Sequence, residues 1–537
     1  MRVTNNMMLG KTIGNINSNK SNVNYLNNQM TTQKKISRPS EDPVVAIRAL
    51  RLRSSLSEID QYYDNNIPDA ESWLDVTETA LKNMNKILTD IRSQCVSGSN
   101  DSLKAEDRST IYKQLQALRE QVYSEGNSDY AGRTVFTGYR TNSTLTFMED
   151  KDNVTYTINQ PFSYEDIEEY RYYSGEVTIP TTSADVAATD ADQIPQANVS
   201  TFDRIRLSYD QITGGLTDAD GNTLASPATL SYRQSDGTNV DYNVTVYETR
   251  AEWEAASAAA AGNTDGDPFY INDGEAVFIK ETGELVLSED LSDAMKGSYA
   301  SLDVTYTKTG FTNGELRPEY YYNCTYRATD GTTTDFKKYE MNDDGTYKLD
   351  AKGQRIEINQ DINYIIATNQ TLTVNTNASD VFDANIGRDV DELLNAVEKA
   401  IAANDKVSEI ESMMAEEQYS DDESQAKLQL WLDAVQREAD YADDNMQKLY
   451  DTYIGKFDDY MSQVNLALTN NGCKGDRLDM TTNRVESQQT TLEGLKSTNE
   501  DRELSDVIID YTAAYNAYDA SLQAASYLNK TTLLNYI

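Results

Sequence analysis

The chain has 537 residues, 88 acidic against 47 basic, for a formal net charge of −41; it has three cysteines, no histidine and a mean hydropathy of −0.65. Without histidine there is no Ser-His-Asp or Cys-His catalytic arrangement and no His-ligated zinc site, and Cys95, Cys324 and Cys473 are too few and too far apart for a disulfide framework or a CxxC metal site. The acidity opposes nucleic acid and anionic membrane as partners, and the length predicts two or three domains.

The charge is uneven. Residues 1–60 carry nine Lys/Arg against four Asp/Glu, and the remainder 38 against 84. Residues 1–40 have no acidic side chain, and nine of the first thirty are Asn. Their apolar residues, Met7, Met8, Ile13, Ile16, Val23, Leu26 and Met30, are too sparse to hold an isolated helix. Residues 1–42 are therefore expected to be an assembly segment, disordered in the monomer and helical with a partner. No secretory apolar core of roughly 7–15 residues opens the chain, so export by a cleaved secretory signal is not expected, and cytosolic residence or a signal-free export route remains. No apolar run of about 18 residues predicts a membrane span.

The punctuation Ser37-Arg38-Pro39-Ser40-Glu41-Asp42-Pro43 predicts an ordered loop, with Asp42 as N-cap and Pro43 as first helical residue. A helix follows through Ile47, Leu50, Leu56, Ile59 and Tyr63, and Pro68 either kinks it or opens a new one. Leu74, Leu81, Leu88 and Cys95 then recur every seven residues, with Met84 and Ile91 in the complementary position and Thr77 as the polar exception. That is a coiled-coil-like seam. After the turn at 97–101, Ile111, Leu115, Leu118 and Val122 predict a second helix antiparallel to the first.

The character changes near 133. From there to 383 the chain is rich in Thr, Tyr and Val, with Asp220-Gly221, Asp236-Gly237, Asn313-Gly314, Asp330-Gly331 and Asp344-Gly345 between alternating segments such as 302–307 and 371–374. These are hairpin signals. Residues 250–261 are Ala-rich and predict a short helix. Helical periodicity returns at 384, with Leu430, Val435, Met446, Leu449 and Tyr453 on one amphipathic helix that Asn470-Asn471-Gly472 is expected to end. In the last helix, Leu504, Ile508, Tyr511, Tyr515, Tyr518, Leu522 and Ala525 make the cleanest heptad run of the chain.

The predicted fold is mixed and mainly α: a long antiparallel coiled-coil-like module of the N- and C-terminal segments, with an inserted β-rich domain. The expected parts are the assembly segment 1–42, helical parts 43–132 and 384–475, the insert 133–383, and a C-terminal assembly helix 476–537.

No catalytic, cofactor or metal residues stand out. Asp218–Asn222 and Asn263–Asp267 lack the closing Glu of a calcium loop and are read as hairpin turns. Acidic runs such as Asp421-Asp422-Glu423 are read as solvated faces rather than carboxylate pairs. The three cysteines are expected to be buried. Of the 36 tyrosines, those at 511, 515 and 518 suit an interface between subunits, with large area and a polar tip.

Several motifs resemble one family. The run Lys34–Pro43 resembles the loop of the flagellin superfamily, and its Asp-Pro form that of hook–filament junction proteins (hook-associated protein 3). Gln61-Tyr62 with Asn65-Asn66-Ile67, the Tyr130–Gly138 segment, and the ending Leu533-Leu534-Asn535-Tyr536-Ile537 are similar to further motifs of that family, so the resemblance covers about 1–142 and 475–537. Glu41 in place of a second Asp, Pro68 and the large insert depart from it.

The resemblance implies a non-enzymatic subunit of the bacterial flagellum without cofactors, exported through the flagellar channel. It also implies a self-associated ring with a hook-associated protein on the hook side and flagellin on the filament side. An export chaperone at the C-terminal helix is a further implied partner; nucleic acid and membrane are not. Arg38, Pro39, Asp42, Pro43, Leu504, Ile508, Tyr511, Tyr515, Tyr518, Leu522, Ala525, Leu533 and Leu534 are the candidate assembly residues. Flagellin itself, and a surface adhesin or glycan-binding protein acting through the insert, are the alternative readings.

Overall fold

The computed structural model describes residues 5–99, 105–188, 194, 198–218, 221–260, 262–264, 266–342, 345–350 and 353–530. Its helices in chain order are α1 (Asn5–Thr32), α2 (Pro43–Gln61), α3 (Ile67–Gly98), α4 (Ala105–Gln121), α5 (Ser183–Ala188), α6 (Arg250–Ala258), α7 (Glu289–Gly297), α8 (Asn385–Ala415), α9 (Asp422–Glu500) and α10 (Leu504–Lys530). A multistranded sheet lies between α4 and α8 in sequence, so the fold is the mixed, mainly α one with a β-rich insert. The chain divides into two compact units, one of Met1–Glu71, Asn363–Thr373 and Lys474–Ile537, the other of Ser72–Ile362 and Val374–Cys473.

In the first unit, α1 runs antiparallel to α10: Asn19 Nδ2 donates to the Ala517 carbonyl at 3.3 Å, and Arg502 Nη1 to Gln29 Oε1 at 2.5 Å. The α2 helix runs antiparallel to the end of α9, where Asn499 Nδ2 donates to the Val45 carbonyl (3.1 Å) and Gln489 Nε2 to Asp60 Oδ1 (2.8 Å). It buries Ala46, Ala49, Leu56 and Ile59. Ile47 and Leu50, expected on the buried stripe, are exposed instead. The small Ala46 and Ala49 face inward, which lets the backbones approach closely enough for the Asn499–Val45 bond.

After α2 comes a single π-helical segment, Tyr62–Asn66, directly before Pro68. Pro68 thus follows a local register shift in a helical path: its ring cannot donate the usual bond, and a π-bulge reroutes the neighbouring ones. A hairpin of Asn363–Ala367 and Gln370–Thr373 sits on this bulge. Asn66 Nδ2 donates to the Ile365 carbonyl at 2.7 Å, the Tyr364 hydroxyl bonds the Asp69 carboxylate, and Arg477 Nη2 donates to the Thr371 carbonyl at 3.0 Å.

In the second unit the heptad seam of α3 is buried throughout: Leu74, Leu81, Met84, Leu88, Ile91 and Cys95. Thr77 is buried with them and donates its hydroxyl to the Trp73 carbonyl (2.9 Å), which removes the cost of an unpaired polar group. The α9 helix lies antiparallel to α3, as Arg92 to Asp458 (2.6 Å) and Asn471 Nδ2 to the Leu74 carbonyl (3.0 Å) show. The α9 helix also runs unbroken through Asn470-Asn471-Gly472, contrary to the sequence reading. Asn471 is buried and bonded across to α3, so tertiary pairing overrides its turn propensity. The segment that follows α4 is bonded to α3 (Asn83 Nδ2 to Glu125 Oε2, 3.1 Å), and α4 is tied to α8 by Arg119 and Asp391 (2.9 Å).

Among the described residues, the sheet of this unit has eleven strands. From one edge the order is Thr333–Phe336, Asn323–Arg327, Thr155–Ser163, Ser301–Thr309, Ala228–Arg233, Asn239–Tyr247, Ala276–Ile279, Glu284–Leu287, Asn198–Arg206 and Glu168–Ser174, with Gly215–Leu216 pairing beside Ser301–Thr309. Neighbours are antiparallel except Asn239–Tyr247 with Ala276–Ile279, whose connection includes α6. Asp236-Gly237 and Asp330-Gly331 turn hairpins as predicted, the glycines at φ 88° and 84°. The sheet core gathers Ile158, Ile205, Leu207, Phe278, Leu285, Val304 and Tyr306. Cys95 and Cys324 are buried, but Cys473, expected inside, is exposed on α9.

Candidate assembly site

The described candidate residues lie in two parts of the first unit, Arg38, Pro39, Asp42 and Pro43 in the loop between α1 and α2, and Leu504 to Ala525 along α10; the start of that loop is joined to the elbow between α9 and α10. The α1 helix ends where Gln33 takes a left-handed φ of 54°. Residues 33–35 then lie beside 500–502 as a short antiparallel ladder: Lys35 N donates to the Glu500 carbonyl (2.7 Å), Arg502 N to the Gln33 carbonyl (3.0 Å), and Lys34 pairs with Asp501.

Side chains close the ladder. Lys34 Nζ bonds the Asp501 carboxylate and stands 3.6 Å from Glu500. Arg53 grips Glu500 with two hydrogen bonds, Nε to Oε1 at 2.7 Å and Nη2 to Oε2 at 2.5 Å. Gln29 Nε2 and the Tyr25 hydroxyl both donate to the Lys35 carbonyl, at 2.6 and 3.0 Å. The hydrogen bond from Arg53, against the opposing effect of burial, holds the Glu500 carboxyl below its ordinary value; the Lys34 hydrogen bond does the same for Asp501. Lys34 and Arg53, two of the basic residues of the N-terminal segment, are therefore met inside the chain by Glu500 and Asp501.

In the loop itself Asp42 Oδ1 accepts from Val44 N (2.9 Å) and Val45 N (3.1 Å), with Pro43 opening α2. This is the cap the sequence predicts. Glu41 folds back to accept from Ser37 N at 2.8 Å, so the residue that departs from the family pattern braces the loop. Arg38, Pro39 and Pro43 are exposed.

The α10 helix carries two apolar stripes. The one turned inward is Val507 and Ala514, buried, with Tyr511, Tyr518 and Ala525 half-buried. Leu504, Ile508, Tyr515 and Leu522, expected on the same seam, are exposed instead. A two-stranded pair buries one narrow face, and the small Val507 and Ala514 bring the helices together, which rotates the larger side chains out. Tyr511 and Tyr515 stack across the two stripes, ring centroids 6.2 Å apart. Leu533 and Leu534 lie outside the described residues.

Sequence reasoning missed Arg53, Glu500 and Asp501 and, on the inner stripe, Val507 and Ala514, while Tyr511, Tyr518 and Ala525 stand on it. The spacing Val507–Tyr511–Ala514–Tyr518 was available, but its alanine hid it beside a larger neighbour. It also missed a buried ionic cluster in the second unit. Arg204 and Arg206, two apart on one strand, present both guanidiniums to the same side. Arg204 reaches Glu168, Glu284 and both oxygens of Glu392 (2.8 and 2.7 Å), and lies 3.7 Å over the Tyr170 ring. Arg206 bonds Asp389 and Glu392, whose other partners are Tyr460 and Tyr453 of α9. Burial pushes Glu168 up, but Arg206, Arg204 and Lys456 outweigh it and lower it to about 2. The cluster fastens the sheet to α8 and α9.

Residues 3–141 match the family model described as the bacterial flagellin N-terminal helical region. Among curated proteins, flagellar hook-associated protein 3 of Salmonella typhimurium is 28% identical over 142 residues, 26% of this chain and 44% of that protein. Flagellar hook-associated protein 3 of Escherichia coli is 28% identical over 152 residues, 28% of this chain and 47% of that protein. The chain thus spans under half the length of these relatives. The solved flagellar junction protein of Legionella pneumophila aligns over 81% of this chain and 99% of its own, at 13% identity and a TM-score of 0.26. The resemblance to the flagellin superfamily is borne out at the N-terminal end, and there the chain is similar to proteins named flagellar hook-associated protein 3.

Proposed function

We propose that the chain is a structural, non-enzymatic subunit of the bacterial flagellum that joins hook to filament. In this reading copies associate in a ring, a hook-associated protein adjoins it on the hook side, and flagellin polymerises on the other. It is exported without a cleaved signal, and its C-terminal helix is the segment an export chaperone holds. The observation that carries the proposal is the outer stripe of α10, Leu504, Ile508, Tyr515 and Leu522, set on a helix already paired with α1. An exposed apolar stripe of that length on a paired helix fits a second layer of helices from neighbouring subunits. The N-terminal similarity to hook-associated protein 3 supports the same role.

The test is the double variant Ile508→Glu/Leu522→Glu in cells. Hooks without filaments, with the variant still exported, are expected. Normal filaments would overturn the role of the stripe.

A further inference from the structure

Helix α2 turns Ala46, Ala49, Leu56 and Ile59 inward, and its opposite face is left uncovered. Val44, Ile47 and Leu50 stand there at intervals of three residues, 65, 54 and 64% exposed. Arg48 and Arg51 follow Val44 and Ile47 by four residues each, so they share that face. Both arginines are exposed, and neither has a carboxylate within ion-pair distance among the described residues. From Pro43 to Ser57 the helix has three arginines and no acidic residue, in a chain of net charge −41. Three large aliphatic side chains held in water beside two unpaired cations mark a surface that gains from an apolar, acidic partner.

Helix α10 carries the complement. From Leu504 to Asn529 it has three aspartates and no basic residue. On its outer stripe Tyr515 and Leu522 are exposed, and Asp519 falls between them, four residues after one and three before the other. The Asp519 carboxylate accepts from Gln523 Nε2 at 3.0 Å and has no cation within ion-pair distance among the described residues. The spans also agree: at the helical rise, Val44 to Leu50 covers about 9 Å and Tyr515 to Leu522 about 10 Å.

Neither face suits its own copy in a neighbour. Packing α2 on α2 would set Arg48 and Arg51 against their like, and packing α10 on α10 would set Asp519 against Asp519. Two unlike faces on one chain join copies head to tail, and such a contact either closes into a ring or runs on as a helix.

We propose that the outer stripe of α10 in one copy docks on the Val44, Ile47 and Leu50 face of α2 in the next, with Asp519 set between Arg48 and Arg51. This rests on the assembly role proposed above and names the surface that its α10 stripe meets.

The experiment is cross-linking of the purified full chain with a short bismaleimide at high protein concentration. Every protein carries Cys473→Ser, which removes the exposed native thiol. One protein has Ile47→Cys and the other Tyr515→Cys or Leu522→Cys; all three positions are exposed or flank solvent, so the melting temperature should not change. A cross-linked dimer is expected from the mixtures and not from either protein alone. Arg48→Glu/Arg51→Glu in the Ile47→Cys protein should lower the yield about tenfold, and Asp519→Arg in its partner should restore it. No dimer from the mixtures, as much dimer from one protein alone, or a yield indifferent to the charges would each overturn the pairing. If the pairing fails while Ile508→Glu/Leu522→Glu still leaves hooks without filaments, the α10 stripe keeps its role and only this partner surface falls. Normal filaments in that variant would take the role and the pairing together.

Discussion

Arg53 of α2 and Glu500, the last residue of α9, share two parallel hydrogen bonds, and the Glu500 side chain is only 4% exposed while that of Arg53 is 56% exposed. The pair is therefore asymmetric: removing the arginine strands a buried carboxylate, with Lys34 at 3.6 Å as the remaining cation. Arg53→Gln is expected to destabilise the first unit by about 1 kcal/mol, screened by the exposure of the arginine. Amide exchange should speed up around 498–503 and stay unchanged in the sheet. Equal exchange in both proteins would show that the pair contributes nothing.

The cap of α2 is a second local test. Asp42→Ala should cost about 1 kcal/mol, because Val44 N and Val45 N both lose their acceptor, while Asp42→Asn should cost much less. Exchange rates at those two amides read the difference directly.

The ionic cluster predicts a pH dependence with a definite sign. Glu168 is lowered to about 2 from an ordinary 4.5. A carboxyl depressed in the folded state stabilises above its unfolded value, and that stability is lost as pH falls towards the folded one. Unfolding temperature should hold above pH 5 and fall steadily towards pH 2. Glu168→Gln should be less stable at neutral pH, by about 2 to 3 kcal/mol, and show a flatter acid limb. A variant with the wild-type profile would remove Glu168 from the account.

Thiol accessibility separates the cysteines. Cys473 is exposed and should react with a maleimide in the folded protein. Cys95 and Cys324 are buried, and burial pushes the Cys95 thiol up to about 12, so both should react only after unfolding.

Helices α1 and α10 bury little between them: Leu26 and Gln29 on one side, Val507 and Ala514 on the other. So thin an interface supports the expectation that these ends order fully only on assembly. In the free protein, amides of 5–32 and 504–530 should exchange rapidly, far faster than those of α3. Full protection in the monomer would contradict this.

What could be read from the sequence follows the range of the forces involved. The Asp42 cap, the α3 seam from Leu74 to Cys95 and the hairpins at Asp236-Gly237 and Asp330-Gly331 are local patterns, and they stand where the spacing puts them. The continuity of α9 through Asn471 was hidden because its cause is a carbonyl on another helix, that of Leu74. Half of the α10 seam was misplaced by one position for the same reason, Ile508 and Tyr515 standing where Val507 and Ala514 are covered: periodicity marks every apolar stripe, and only the partner decides which is covered. Arg204 and Arg206 gave no signal at all, since their counter-charges come from Glu168, Glu284, Asp389 and Glu392, spread across the chain.

The central claim, a subunit that joins hook to filament, is tested most directly by deleting the gene, imaging the cells for hooks and assaying the medium for soluble flagellin. The account predicts bare hooks with monomeric flagellin lost to the medium. Bare hooks with no flagellin released would make the chain flagellin itself, and intact motile filaments would contradict the claim outright.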